Sequence, residues 1–208
     1  MRRGLVWCAI LAAAVSCQAQ QDRRPHGTPG DFDYYLLTMS WSPQFCLQKP
    51  NDPQCRMHLG FVLHGYWPEK NSGDFPHNCP TDLRATPSMS HHVPGSIVQH
   101  EWQTHGACVA PSETPQAYFQ EADARFESIQ VPPELANPKA PLTLSLDSLV
   151  TKFVNANPGM RPENLSPHCL GANLQDVRVC LGKGSGYAAC TVPTTCSRNR
   201  PIRIAPVK

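Results

Sequence analysis

The sequence predicts an α+β domain, a central antiparallel sheet with helices packed on it, held by disulfides. Three observations predict it. Strand-like segments lie toward both ends and helix-like segments between them, the order expected for α+β rather than alternating α/β. Eight cysteines follow an apolar leader, an even number that reads as a disulfide framework. Twenty-two prolines in 208 residues keep every element short and the loops many.

Arg2 and Arg3, the apolar run from Leu5 to Val15 and the small-residue region Ser16-Cys17-Gln18-Ala19 have the plan of a secretory signal peptide, too short for a membrane span. Residues 1–19 are therefore expected to be removed and residues 20–208 to form a single domain, secreted or periplasmic, without stable membrane insertion. A lipoprotein leader processed at Cys17 is the alternative, although Ala14 stands where Leu is usual. Removing Arg2 and Arg3 cancels the formal charge of +2. A neutral chain excludes a protein held on nucleic acid by a broad basic surface. All nine histidines remain, so attraction to a polyanion should grow as the pH falls below about 6. For His26, His58, His77 and His168 the expectation is ordinary surface placement.

The elements follow in order. Pro25 to Gly30 reads as a lead-in. Tyr34 to Trp41 is rich in strand formers and reads as a buried strand. Phe61 to Leu63 reads as a second strand with His64 at its end. Pro68 to His92 lacks periodicity and reads as a long loop, which Cys79 can pin. Ser96 to about Gly106 reads as a helix. Thr114 can cap the next, with Pro115 at its first position and Tyr118, Ala122, Phe126 and Ile129 on one stripe. Ser145 can cap a third, with Leu146, Leu149, Val150, Phe153 and Val154 as its apolar face and Pro158-Gly159 as its stop. Val177 to Leu181 alternates polar and apolar residues, and with Tyr187 to Val192 across Gly182 to Gly186 it reads as a hairpin.

Two segments carry chemistry: Phe61-Val62-Leu63-His64-Gly65-Tyr66-Trp67-Pro68 and His100-Glu101-Trp102-Gln103-Thr104-His105-Gly106. At about 100° per residue, a helix places Glu101, Thr104 and His105 at about 100°, 40° and 140° from His100, on one broad face. Trp102, at about 200°, should anchor the helix to the core. Zinc proteases space the two His of HExxH four residues apart, and the five-residue spacing here splays the rings. The reaction such groups support is transphosphorylation of RNA. One His removes the ribose 2′ proton, another protonates the departing 5′ oxygen, and neither needs a metal. Only RNA carries the 2′-OH, so DNA is spared without base reading.

The two segments together resemble the active-site motifs HGLWP and HEWxKHG of the T2 family of secreted ribonucleases, and the likeness extends over nearly the whole chain after the leader. The resemblance implies His105 as general base, His64 as general acid, His100 as phosphate ligand and Glu101 as support for the transition state. It implies that Trp67, Glu69 and Phe75 contact the first base, with broad specificity because stacking accepts every base. It implies disulfides Cys46–Cys55, Cys79–Cys108, Cys169–Cys196 and Cys180–Cys190, a choice that spacing alone cannot make among about 105 connectivities. The expected protein is a monomeric endoribonuclease acting on single-stranded RNA through a 2′,3′-cyclic phosphate, without cofactor or metal. Thr104 departs from the pattern: the family's Lys stands there. A hydroxyl carries no charge, and its loss would cost a factor of ten to a thousand in rate. Lys70 or Arg84 are candidates to compensate. The alternative is a catalytically weakened RNA- or partner-binding protein on the same fold.

Overall fold

The structure, a computed structural model, describes residues 24–184 and 186–208. The expected leader, with Cys8 and Cys17, lies outside the described residues. The elements run β1 (Tyr34–Trp41), α1 (Ser42–Gln48), β2 (Phe61–Glu69), α2 (Val98–Thr104), α3 (Pro115–Ser128), α4 (Pro133–Ala136), β3 (Leu142–Leu144), α5 (Leu146–Ala156), β4 (Leu165–Leu170), β5 (Asn173–Gly182) and β6 (Ile202–Ile204). The sheet order is β2-β1-β5-β6-β3, with β4 also on β5. All pairings are antiparallel except a single parallel contact between β5 and β6, at Asn173 and Arg203.

β1 is the spine. Leu37, Met39 and Trp41 point to one face with Leu63 and Tyr66 of β2 and Val177 and Val179 of β5, all at most 2% exposed. Helices α2, α3 and α5 cover this face through Trp102, Phe119, Leu149 and Phe153. Tyr34 and Leu36 point to the other face, where Cys180 and Trp67 meet them. Alternation along a strand thus supplies two cores, a large one under the helices and a small one beside the cleft.

The caps expected at Thr114 and Ser145 are present, accepting from the backbone N–H of Ala117 and Ser148. All four expected disulfides are present. Three expectations are corrected. β2 does not stop at Leu63 but runs to Glu69, and Pro68 is tolerated because β2 is an edge strand. The partner of β5 across a turn is β4, which contains Pro167, and not Tyr187 to Val192. That later segment touches β5 through one bridge, Leu181 to Tyr187, and through Cys180–Cys190. The helix expected from Ser96 to Gly106 is shorter, and His105 lies just beyond it with φ −125° and ψ −53°.

Candidate active site

The cleft begins with an irregularity in β2. Thr38 pairs with Gly65 and Met39 with Leu63, so His64 is the extra residue of a β-bulge. A bulge changes which residues share a face. Without it, Trp67 would fall on the face of Leu63, inside the helical core. With it, Tyr66 enters that core and Trp67 joins His64 over the opposite face, their rings edge to face at 5.3 Å. His64 therefore sits within a strand rather than at its end. Its Nδ1 lies 3.2 Å from Ser40 Oγ, within hydrogen-bond reach, and its Nε2 lies 3.6 Å from Glu101 Oε1.

Helix α2 supplies the other wall. Trp102 is 1% exposed and donates from Nε1 to the Leu83 carbonyl, anchoring the helix as its position on the wheel requires. Glu101 is equally buried and accepts from Trp67 Nε1 at 2.7 Å. Gly65 makes this possible. A Cβ there would lie 2.0 Å from Trp67 Nε1 and 2.3 Å from Glu101 Oε2. His105 reaches the cleft by a different route from the one the wheel suggested. The helix ends, His105 donates its N–H to the Glu101 carbonyl, and a tight turn over Gly106–Cys108 follows. Gly106 permits that turn, since a Cβ would meet Trp102 at 2.6 Å and Tyr118 at 2.9 Å. The His105 ring stacks on Trp67 at 5.0 Å and 23°, and its Nδ1 has no hydrogen-bond partner among the described residues. Thr104 Oγ1 lies 3.3 Å from His100 Nδ1.

His64, Trp67, Glu69, Phe75, His100, Glu101 and His105 all line one cleft of about 590 Å³. Thr104 lines an adjoining groove of about 840 Å³ that shares Phe75, His100 and His105. Phe75 is half-buried rather than core. The long loop that carries it is pinned as expected: Cys79 is bonded to Cys108, and Asn78 donates its N–H to the Thr104 carbonyl. Of the two candidate compensating cations, Lys70 lines the cleft but is paired with Asp31 at 2.8 Å, and Arg84 does not line it. Two lining or supporting residues were missed in the sequence. Ser40 and Arg178 both occupy alternate positions facing away from the large core, and alternation within the two predicted strands was the signal that could have found them. His26 is a surface residue as expected, with its Nε2 2.6 Å from Asp74 and its ring stacked on His77; His168 is partly buried, with its Nδ1 3.1 Å from Asp176.

Burial moves the titratable groups of the cleft toward their neutral forms. It pushes the Glu101 carboxyl up to about 8, against the opposing Trp67 hydrogen bond. It pulls His105 down to about 3, with the nearby charges of His100, His64 and His77 adding to the effect. The protein around His64 lowers it too, although 41% of that side chain stays open to the cleft; Asp176 opposes the shift. Glu69, 5% exposed, is pushed up to about 7 by burial, with Arg178 opposing. A cleft of this kind offers a neutral imidazole to take a proton and a protonated carboxyl to donate a hydrogen bond.

The profile of the Ribonuclease T2 family matches residues 32–190. A ribonuclease of Aeromonas hydrophila is 39% identical over 119 residues, 54% of this chain and 53% of that protein. The match thus spans about half of the Aeromonas protein's length. Ribonuclease MC1 from bitter gourd seeds superposes with a TM-score of 0.64 at 22% identity, covering 80% of this chain and 97% of its own. A variant of ribonuclease MC1 in complex with 5′-UMP superposes with a TM-score of 0.65 at 19% identity, covering 83% and 97%.

Proposed function

Because the chain belongs to the ribonuclease T2 family, we propose that it is an exported endoribonuclease cleaving single-stranded RNA by metal-independent transphosphorylation. The observation that carries this reading is the convergence of His64 from the bulge with His100, Glu101 and His105 from α2 and its end on one cleft. His105, neutral above about pH 3, takes the proton of the 2′-OH. The 2′ oxygen bonds to phosphorus, the bond to the 5′ oxygen breaks, and His64 in its protonated form gives that oxygen a proton. The products are a 2′,3′-cyclic phosphate and a 5′-OH; water opens the cyclic phosphate with the two histidines exchanging roles.

His100, oriented by Thr104, takes a non-bridging phosphate oxygen. Glu101, held by Trp67 and kept protonated by burial, donates a hydrogen bond where an ionised carboxylate would repel the accumulating negative charge. The leader and the four disulfides support export to an oxidising compartment.

Thr104 favours a second reading, an RNA-binding protein of reduced catalytic power. One experiment separates the two. The disulfide-bonded protein is incubated with single-stranded RNA at about pH 5 in EDTA, beside His105→Ala. Cleavage that leaves cyclic-phosphate ends and vanishes in the variant establishes the enzyme. RNA binding without cleavage establishes the second reading. Activity that EDTA abolishes and a divalent ion restores defeats the metal-free mechanism.

A further inference from the structure

We propose that Arg178 and Glu69 act together as a base-reading pair, and that they select guanine in the cleft beside Trp67. The proposal rests on the ribonuclease reading and narrows it, since stacking on Trp67 alone would accept every base.

Arg178 reaches the cleft through the register of the sheet. Val177 and Val179 are fully buried in the large core, so Arg178 between them points to the opposite face. Thr38 pairs with Arg178 on one side and with Gly65 on the other. The side chain thus starts two strands from the bulge, about 10 Å away, and crosses the sheet. Its Cζ lies over the Trp67 ring, 5.9 Å from its centre. A base entering the cleft beside Trp67 meets this guanidinium.

The guanidinium is tethered but not spent. Nε donates to Asp176 Oδ1 at 2.6 Å, and Asp176 Oδ2 is held in turn at 3.1 Å from His168. The two terminal nitrogens have no hydrogen-bond partner among the described residues. Glu69 lines the same cleft. It is 5% exposed, and its carboxyl also has no hydrogen-bond partner among the described residues. Its oxygens are not among the fully buried unpaired side-chain atoms, so they face the cleft, where a ligand can pair with them.

The ligand that fits both is read from base chemistry. Guanine places two adjacent donors, N1–H and the N2 amine, along one edge, where a carboxylate accepts both; these donors and the nearby Arg178 favour the ionised form of Glu69 once the base is bound, against the pull of burial. Its next two positions, O6 and N7, are adjacent acceptors and match the fork of an arginine. Adenine turns its N6 amine toward the guanidinium, donor against donor, and offers no pair of adjacent donors to Glu69. The pyrimidines fill one of the two contacts. Discrimination is strong when the wrong base leaves such buried groups unpaired.

The test is the rate of cleavage of the complete set of dinucleoside monophosphates by the full protein. At one of the two base positions guanine should exceed adenine in kcat/KM by about tenfold or more. In Arg178→Met that ratio should fall to within about twofold, a change in selectivity that a merely structural role would not produce. If neither position favours guanine, or if Arg178→Met slows every dinucleotide by one factor, Arg178 holds the phosphate or the fold and the proposal is wrong. Binding of 5′-GMP against 5′-AMP to the unaltered protein needs neither a variant nor catalysis. Tighter GMP binding by about tenfold supports the base pair even if no RNA is cut, and equal binding overturns it. Cleavage without guanine preference leaves the ribonuclease standing and removes only this inference.

Discussion

Replacing Gly65 by Ala tests the geometry of the cleft at its tightest point. The added methyl would sit 2.0 Å from Trp67 Nε1, 2.8 Å from Trp67 Cδ1 and 2.3 Å from Glu101 Oε2. None of these atoms is free to yield: Trp67 is clamped between His64 and His105, and Glu101 is 1% exposed on a helix anchored by Trp102. The indole must therefore leave the carboxyl. Loss of that buried hydrogen bond costs about 1–3 kcal/mol and the overpacking about 1–3 kcal/mol more. A total of about 2–6 kcal/mol lowers Tm by roughly 4–24 °C in a domain of this size. Moving Glu101 and Trp67 by about 1 Å should lower kcat/KM on single-stranded RNA by roughly a hundredfold. The assay is thermal unfolding together with cleavage kinetics, beside Gly184→Ala, where an added Cβ meets nothing within 4 Å. In a Trp67→Phe background the indole nitrogen is gone, so the stability cost of Gly65→Ala should shrink by about 1 kcal/mol or more. A Gly65→Ala protein that melts and turns over like the parent would refute the role assigned to the Trp67–Glu101 contact.

Glu101→Gln should flatten the dependence of stability on pH. The carboxyl ionises near 4.5 in the unfolded chain and near 8 in the fold, so its favourable contribution is complete below the first value and is lost as pH rises through the second. Between those limits the parent should lose up to about 5 kcal/mol relative to the variant, read by chemical unfolding at the two ends; an unchanged difference would mean Glu101 is ionised in the fold. Replacing Cys79 and Cys108 together by Ala opens a link between residues 29 apart and should cost about 3–4 kcal/mol. It should also raise KM, because the loop bearing Phe75 loses its anchor beside Thr104; a normal KM in the folded variant would separate that loop from substrate binding. The profile of kcat/KM should peak in acid. It should rise through about pH 3 as His105 frees its base and fall before the unperturbed imidazole value of about 6.5, since burial lowers His64. A profile flat from about pH 4 to 9 would contradict this assignment.

Much of the site was legible because it is written in short local patterns. The strand Tyr34–Trp41, the caps at Thr114 and Ser145 and the anchoring of Trp102 follow from propensity and periodicity, which act over a few residues. What escaped depends on pairing between distant segments. Nothing within Phe61 to Pro68 announces a bulge, since it exists only relative to β1, and the run of the strand past Leu63 to Glu69 is fixed by pairing along β1. β4, which contains Pro167, likewise exists only through its pairing with β5. The wheel placed His105 correctly in the cleft for the wrong reason: the helix stops one residue before it, and the turn at Gly106 performs the aiming. Arg178 was visible as one polar residue in an alternating run, but its meaning required knowing that the neighbour across two strands is Gly65.

The replacement of the expected lysine by Thr104 takes a different meaning once the charges are placed. Burial drives His64 and His105 toward neutral imidazole and Glu101 and Glu69 toward neutral carboxyl. The fixed cations that line the cleft are Lys70, paired with Asp31, and Arg178, paired with Asp176. Such a cleft holds little net charge until a phosphodiester enters it. The phosphate then favours the protonated form of the imidazoles around it, so the positive charge needed by the transition state arrives with the substrate and with acid. Under the proposed mechanism a lysine at position 104 would supply that charge at every pH; a threonine leaves it to histidine, so activity should follow the pH range in which histidine can carry it.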